Sequence, residues 1–333
     1  MNTNFIYFSS GNEVLHRRTI LSVLSILNNY PLKTNESIII HTDAPHYFEP
    51  FLEGLPVDYQ LLTQTHIKQM MGEDDLIHRV KIGIIERSMQ LYPTHKIFYV
   101  DSDTFFFKPF ASILEQVTPE NSVMHKKEYN MATLGAYPPE DSNGFRKVYD
   151  LITQNTFVIE NEPLQIDIQQ YDSWNAGIIG LHPENFHWLR DVYTLTDQLY
   201  APTRNHACEQ YAFSYILQKR SNLIDCEAYN RHYWHRIEKK IADERLEKWF
   251  NQSFAQLPLQ KKKEKALKFC RYLFKVFPIH PYTHRYNAMI AFQERKFLTG
   301  YKETFLTLLR NPLQDVTFFK DVAYHTKKML LRT

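Results

Sequence analysis

The sequence predicts an α/β fold over residues 1–240, followed by a helical extension over residues 241–333. Short apolar runs, such as Lys96 to Val100, alternate with segments whose apolar residues recur at helical spacing. Several of these runs end on small or acidic polar residues, the placement by which an open sheet lines a ligand crevice with its strand ends. Beyond Ile237 the alternation stops, and charged helical segments are broken around Pro258, Pro278 and Pro281. Hydrophobic residues make up 44% of the 333 and charged residues 23%, which excludes a disordered chain and allows a substantial core.

Asn4 to Phe8 reads as the first strand, Ser9, Ser10, Gly11 and Asn12 as the turn after it, and Ile20, Leu24 and Leu27 as the apolar face of a helix. Ser37 to His41 is a second strand that delivers Thr42 and Asp43 at its C-terminal end. A helix is predicted over Leu76 to Leu91, with Ile77, Val80, Ile84 and Ser88 on one side and Pro93 as the break. The Lys96 to Val100 strand then opens into Asp101, Ser102 and Asp103, followed by the aromatic run Thr104 to Phe107 and a stop at Pro109. Ala136 to Gly144, rich in Pro, Gly and short polar residues, is predicted as a surface loop near the mouth of the site. In Ser173 to Leu181 a small-residue turn precedes an apolar strand, and the small side chains let backbone approach a ligand. Cys208 to Gln218 reads as a helix with Glu209 and Gln210 near its start, and Asn222 to Cys226 as another strand.

The 21 Tyr and 23 Phe serve either packing or stacking, and composition does not choose between them. A formal charge of +2 argues against nucleic acid as a partner. Cys208, Cys226 and Cys270 lack metal-ligand spacing and cannot all pair within one chain, so a reducing compartment is expected. With no leader pattern and no apolar stretch of bilayer length, the expected location is cytoplasmic.

Asp101 and Asp103 carry the chemistry. Two residues apart on a strand they share a face, and a tight turn would converge their oxygens on an ion. Magnesium or manganese takes such hard oxygen ligands, and phosphate oxygens fill the positions a protein leaves open. An isolated Asp pair of this kind also caps loops. The apolar strand upstream favours the metal, because it sets two repelling carboxylates at a sheet mouth where a cation offsets their cost. Ser9 and Ser10 offer hydroxyl and backbone donors, Gly11 permits close approach, and Thr42 and Asp43 suit base or ribose groups. Turn capping accounts for the same five residues. No Gly-rich phosphate fingerprint follows the first strand, which argues against a kinase-like or dinucleotide-binding site.

Phe98-Tyr99-Val100-Asp101-Ser102-Asp103 resembles the metal-binding Asp-any-Asp motif of the GT-A class of nucleotide-sugar glycosyltransferases. Trp174-Asn175-Ala176-Gly177 is similar to the acceptor-side Asn-Ala-Gly segment of its retaining galactosyl- and glucosyltransferase families, and Glu209-Gln210 to the acidic-Gln start of a later helix. The resemblance spans residues 4–236 and implies a mixed central sheet, a manganese or magnesium cofactor, and transfer of a hexose from a nucleotide diphospho-sugar, UDP-galactose or UDP-glucose. The acceptor it implies is a glycan or lipid-linked glycan, with retention favoured. In these families a downstream His completes the metal shell. Asn230-Arg231-His232-Tyr233-Trp234-His235 offers that neighbourhood, with His232 preferred and His235 second. Packing in an aromatic cluster explains either histidine as well. The families' downstream Gly and Lys-Pro-Trp pattern is absent, which leaves the particular family open.

The resemblance also implies that Arg79 or Lys81 approaches the diphosphate, with Arg79 ranked first for its fork of donors. Asn175 is suited to orienting acceptor or sugar through its amide, beside the small Ala176 and Gly177. Glu209 is either the general base of an inverting reaction or a residue that orients Gln210 in a retaining one. A metal-dependent nucleotidyltransferase and a non-catalytic carbohydrate-binding protein remain as alternatives. Finally, Lys261, Lys262, Lys263, Lys265, Lys268, Arg271 and Lys275 run beside Leu267, Cys270, Phe274 and Phe277 in an imperfectly amphipathic helix. That helix either recruits the protein to an anionic membrane surface or packs its apolar stripe inward.

Overall fold

The computed structural model describes residues 1–160, 162–311 and 316–331. Its strands are β1 Thr3–Ser9, β2 Ile38–Thr42, β3 Val57–Leu61, β4 Lys96–Val100, β5 Thr104–Phe106 and β6 Asn121–Asn130. They continue with β7 Phe157–Ile159, β8 Glu162–Leu164, β9 Asp172–Leu181, β10 Asn222–Asp225 and β11 Asn230–His232. One sheet has the order β10-β6-β9-β4-β1-β2-β3. Its pairs β1–β2, β1–β4, β2–β3 and β6–β10 are parallel, and β9 runs antiparallel to both β4 and β6. The mixed central sheet and helical C-terminal region expected of a GT-A-like fold are both present. β5 and β11 form a small antiparallel pair beside this sheet, as do β7 and β8.

The central strands β1, β2 and β4 are buried on both faces, so their sequences read as largely continuous apolar runs. Phe5, Tyr7, Ile38, Ile40, Phe98 and Val100 face one cluster, packed under the helix Glu13–Asn29. Ile6, Ile39, Ile97 and Tyr99 face the other, under helices Val80–Leu91, Trp188–Thr203 and Cys208–Arg220. This two-residue alternation fixes the register, since a slip of one would exchange the two sets. Each fully buried side chain of this kind contributes about 1.5–3 kcal/mol.

Two expectations need correction. Ser173 to Gly177 is no turn: it lies within β9, paired along β6 and β4. The predicted helix from Leu76 starts at Val80, after a 3-10 turn over Ile77–Arg79, and Ile77 is left 48% exposed. In the basic helix Leu259–Val276, Phe269, Cys270 and Leu273 are buried, as is Phe277 just beyond it, and Lys262 donates to Pro50 O at 2.6 Å. Most of its apolar side joins the core, whereas Tyr272, at 38%, and Phe274, at 51%, remain exposed. Residue 240 falls inside the helix Arg236–Trp249, whose Ile241, Ala242 and Leu246 join the cluster containing Phe5 and Val23. Among the described residues no helix is long and apolar enough to cross a membrane.

Candidate metal and sugar-nucleotide site

Parallel strands deliver their C-terminal ends to one edge of the sheet, and the reversal of β9 brings its first half to the same edge. The Asp101 N–H accordingly donates to Gly177 O at 2.8 Å. Asp101 and Asp103 flank the turn from β4 into β5, with Ser102 between them, and β11 pairs with β5 so that His232 lies opposite Thr104. Asp101, Asp103 and His232 thereby converge, each offering a ligand atom, and these atoms lie within 4.8 Å of one another.

The tautomer of His232 follows from its neighbours. Asn175 Nδ2 donates to Glu128 Oε1 at 2.9 Å, and Asn175 Oδ1 accepts the Gly177 N–H at 3.0 Å. With the amide oriented this way, His232 Nδ1, 2.8 Å from Asn175 Oδ1, carries the proton. Nε2 is left facing Asp103 Oδ1 at 3.1 Å and Asp101 Oδ2 at 3.8 Å. A lone pair aimed at carboxylate oxygens is unfavourable unless a proton or a metal cation lies between them. Octahedral ligands about 2.1 Å from magnesium sit about 3 Å apart along an edge, so the His232–Asp103 spacing suits a cation. Two carboxylates and one imidazole match manganese or magnesium in ligand type.

Cationic side chains balance these acids. Lys81 is buried, and its Nζ lies 3.0 Å from Glu209 Oε1, 3.3 Å from Asp101 Oδ2 and 2.9 Å from Ala176 O. Burial lowers its pKa, but Asp101 and then Glu209 more than offset this, so the ammonium stays charged. Tyr99 donates to Asp101 Oδ1 at 2.8 Å. Lys239 Nζ lies 2.7 Å from Asp103 Oδ2. Burial raises the Asp103 carboxyl, yet His232 and then Lys239 hold it well below the usual carboxylate range.

The cluster forms one wall of a cavity of about 670 Å³. Asn175, Glu209 and Gln210 line it, and so do Lys126, Lys127, Tyr129, Tyr137 and Trp234. Gln210 Nε2 donates to Glu128 Oε2 and Ser173 Oγ at 2.9 and 3.0 Å, while its Oε1 accepts the Ala176 N–H at 3.3 Å. Glu128 thus grips the two amides that face the cavity.

Ser9, Ser10, Gly11, Thr42 and Asp43 lie along the same sheet edge, one and two strands away. The β1–β4 register sets Ile6 beside Tyr99, and the β1–β2 register sets Ser9 beside Thr42. Gly11 N–H donates to Asp43 at 3.0 Å, Ser9 Oγ meets His16 Nδ1 at 3.0 Å, and Thr42 Oγ1 accepts the Ala44 N–H at 3.1 Å. Ser10 Oγ is buried with no hydrogen-bond partner. None of these five is in the cavity wall. Arg79 is not brought to the cluster. It pairs with Asp197 at 2.7 and 2.9 Å, donates to Met70 O and lies over the Tyr193 ring, in a separate depression. His235 is also elsewhere, capping the helix Arg236–Trp249 and packing on Tyr286.

Lys239 and Glu128 carry no signal in the sequence. Lys239 sits in a charged run that reads as a solvated helix face, and Glu128 follows His125, Lys126 and Lys127 in a stretch without strand-like alternation.

No protein-family model and no curated protein matches the chain. Among solved structures that align with it is apo mouse xyloside xylosyltransferase 1, at 11% identity and a TM-score of 0.43, over 68% of this chain and 85% of that one. A likeness of that extent carries no argument about the reaction.

Proposed function

We propose that the chain is a metal-dependent glycosyltransferase that moves a hexose from a nucleotide diphospho-sugar to a glycan or lipid-linked acceptor. The observation that carries this reading is the convergence of Asp101, Asp103 and His232 Nε2 on one point at the carboxyl edge of the sheet, opening into a saccharide-sized cavity. A divalent cation held by these three would neutralise the diphosphate and stabilise the charge that develops on the leaving group. Lys239, within reach of the same point, supplies a further positive charge for the phosphates. The base and ribose would lie toward Ser9, Ser10, Gly11, Thr42 and Asp43, with the orphaned Ser10 hydroxyl as a donor or acceptor for them.

On the acceptor side, Asn175 and Gln210 present amides whose orientation Glu128 fixes. Glu209 is tied to the buried Lys81 ammonium, an arrangement that favours a counterion and orienting role over that of a free base. This supports retention at the anomeric carbon. UDP, and galactose or glucose, follow from the motif resemblance carried by Asp101–Asp103, Asn175–Gly177 and Glu209–Gln210.

Incubation with manganese and a panel of nucleotide diphospho-sugars tests the reading. Release of nucleoside diphosphate, fastest with a UDP-hexose and abolished by Asp103→Asn, is expected. Consumption of nucleoside triphosphate with release of pyrophosphate would replace it by nucleotidyl transfer. Binding of sugars without turnover of any donor would replace it by a carbohydrate-binding role. An inverted product anomer would reject retention alone.

A further inference from the structure

The last two described helices, Phe297–Arg310 and Val316–Leu330, run antiparallel. Helix Pro281–Gln293 lies against both: its His284 and Phe292 meet Glu303 and Tyr301 of the first, which is antiparallel to it, and its Arg285 and Phe292 meet Phe318 and His325 of the second, which is parallel to it, while Tyr301 bonds Thr326 at 2.8 Å. On the first helix Leu298, Lys302, Phe305 and Leu309 recur at helical spacing and are all exposed, Leu298 at 90%, Phe305 at 64% and Leu309 at 67%. On the second, Phe319, Lys320, Tyr324 and Lys327 form a similar exposed set.

At about 100° per residue, the first stripe lies roughly 40–100° past Tyr301 and the second roughly 20–160° past Thr326. In antiparallel neighbours the same sense of rotation turns both stripes to one side of the pair. Glu303 and Asp321 fall on other faces, so among the described residues neither stripe holds a carboxylate. Leu and aromatic side chains interleaved with unopposed lysines suit anionic headgroups above an acyl layer. A second copy related by a twofold axis suits them poorly, because Lys302, Lys320 and Lys327 would meet their own kind with no acid between.

We propose that this paired-helix face docks the protein on an anionic bilayer surface. The proposal stands independently of the reaction above, and it uses a different surface from the basic helix Leu259–Val276, most of whose apolar side is in the core. Co-sedimentation of the full chain with vesicles of phosphatidylglycerol and phosphatidylcholine, against phosphatidylcholine alone, tests it. Binding to the first and not the second is expected at low salt. Lys302→Glu, Lys320→Glu and Lys327→Glu together should weaken it at least about 100-fold, about fivefold or more per lysine, the equivalent of about 1 kcal/mol each. Phe305→Ser with Leu309→Ser should make the remaining binding fully reversible by salt. Lys261→Glu with Lys263→Glu should change it by less than about threefold. Circular dichroism confirms that each variant is folded. Absence of binding to anionic vesicles, indifference to the three charge reversals, loss through the Lys261 and Lys263 changes instead, or a wild-type dimer dispersed by Phe305→Ser would each overturn the proposal.

Discussion

A methyl group at residue 177 would lie 2.2 Å from His232 Nδ1, so the absence of a side chain at Gly177 is what admits the imidazole to the Asp pair. Gly177→Ala must push His232 off Asn175 and away from Asp103. Manganese titration in the presence of UDP should show affinity reduced at least about tenfold, because a ligand contact of this type is worth about 1.5–3 kcal/mol. Thermal melting should show the variant still folded; undiminished affinity would remove His232 from the metal shell. The two candidate phosphate cations can be ranked in the same way. Arg79 is spoken for by Asp197, while Lys239 faces the open site. Arg79→Ala should therefore leave the donor Kd within about twofold and Lys239→Ala should raise it about tenfold or more. The opposite order would return the diphosphate to Arg79.

Within single elements, the sequence is clearest where one chemical pattern has one cause. β4 is an apolar run that stops at two acids, and both its position and its role in presenting Asp101 are legible in the residues themselves. β9 is harder, because Asn175-Ala176-Gly177 looks like a turn, whereas the small residues serve close packing against His232 and the sheet runs straight through them. β6 is concealed in a related way: its second half carries Lys126, Lys127 and Glu128, whose charges line the cavity and pair with neighbours. The charges that line the cavity thus overwrite the period of two that marks an ordinary strand.

β2 also supplies a pH-dependent term. Ser88 Oγ donates to Ile84 O at 2.8 Å, so it accepts from His41 Nε2, also at 2.8 Å, and the ring is neutral. Burial, with a smaller contribution from Arg87, pushes the His41 pKa down to about 3. In the unfolded chain a histidine takes up its proton near pH 6.5, so below that pH the unfolded state binds one proton more. Folding stability should fall by about 1.4 kcal/mol per pH unit from this residue as pH drops from about 6.5 toward about 3. His41→Gln should lessen that slope by the same amount in urea titrations at pH 6 and pH 4.5. An unchanged slope would mean that His41 is protonated in the folded protein.

For the molecule as a whole, the C-terminal helices do more than follow the sheet. Arg18 on the first helix pairs with Asp243 at 2.5 and 2.7 Å, and Phe269, 1% exposed, sits in the cluster that contains Phe5 and Val23 and meets the Trp249 ring at a tilt. The change from α/β alternation to charged helices is visible in the sequence, but this shared core is not, since contacts between distant segments leave no local period. Phe269→Ala should cost about 3–5 kcal/mol and lower a single calorimetric transition for the chain. Two transitions, of which one keeps its midpoint, would show that the extension folds apart from the sheet. The helix Arg236–Trp249, which leads into the extension, sets Lys239 beside Asp103 and so takes part in the charge balance of the site.

The metal centre is the premise on which the proposed reaction rests. Crystals grown with manganese and UDP, measured for anomalous scattering at the manganese edge, test it most directly. A single strong peak bonded to carboxylate oxygens of Asp101 and Asp103 and to His232 Nε2, with phosphate oxygens completing the shell, is the predicted result. Bound UDP with no manganese at these three residues, or manganese held by other side chains, would contradict the proposed reaction at its root.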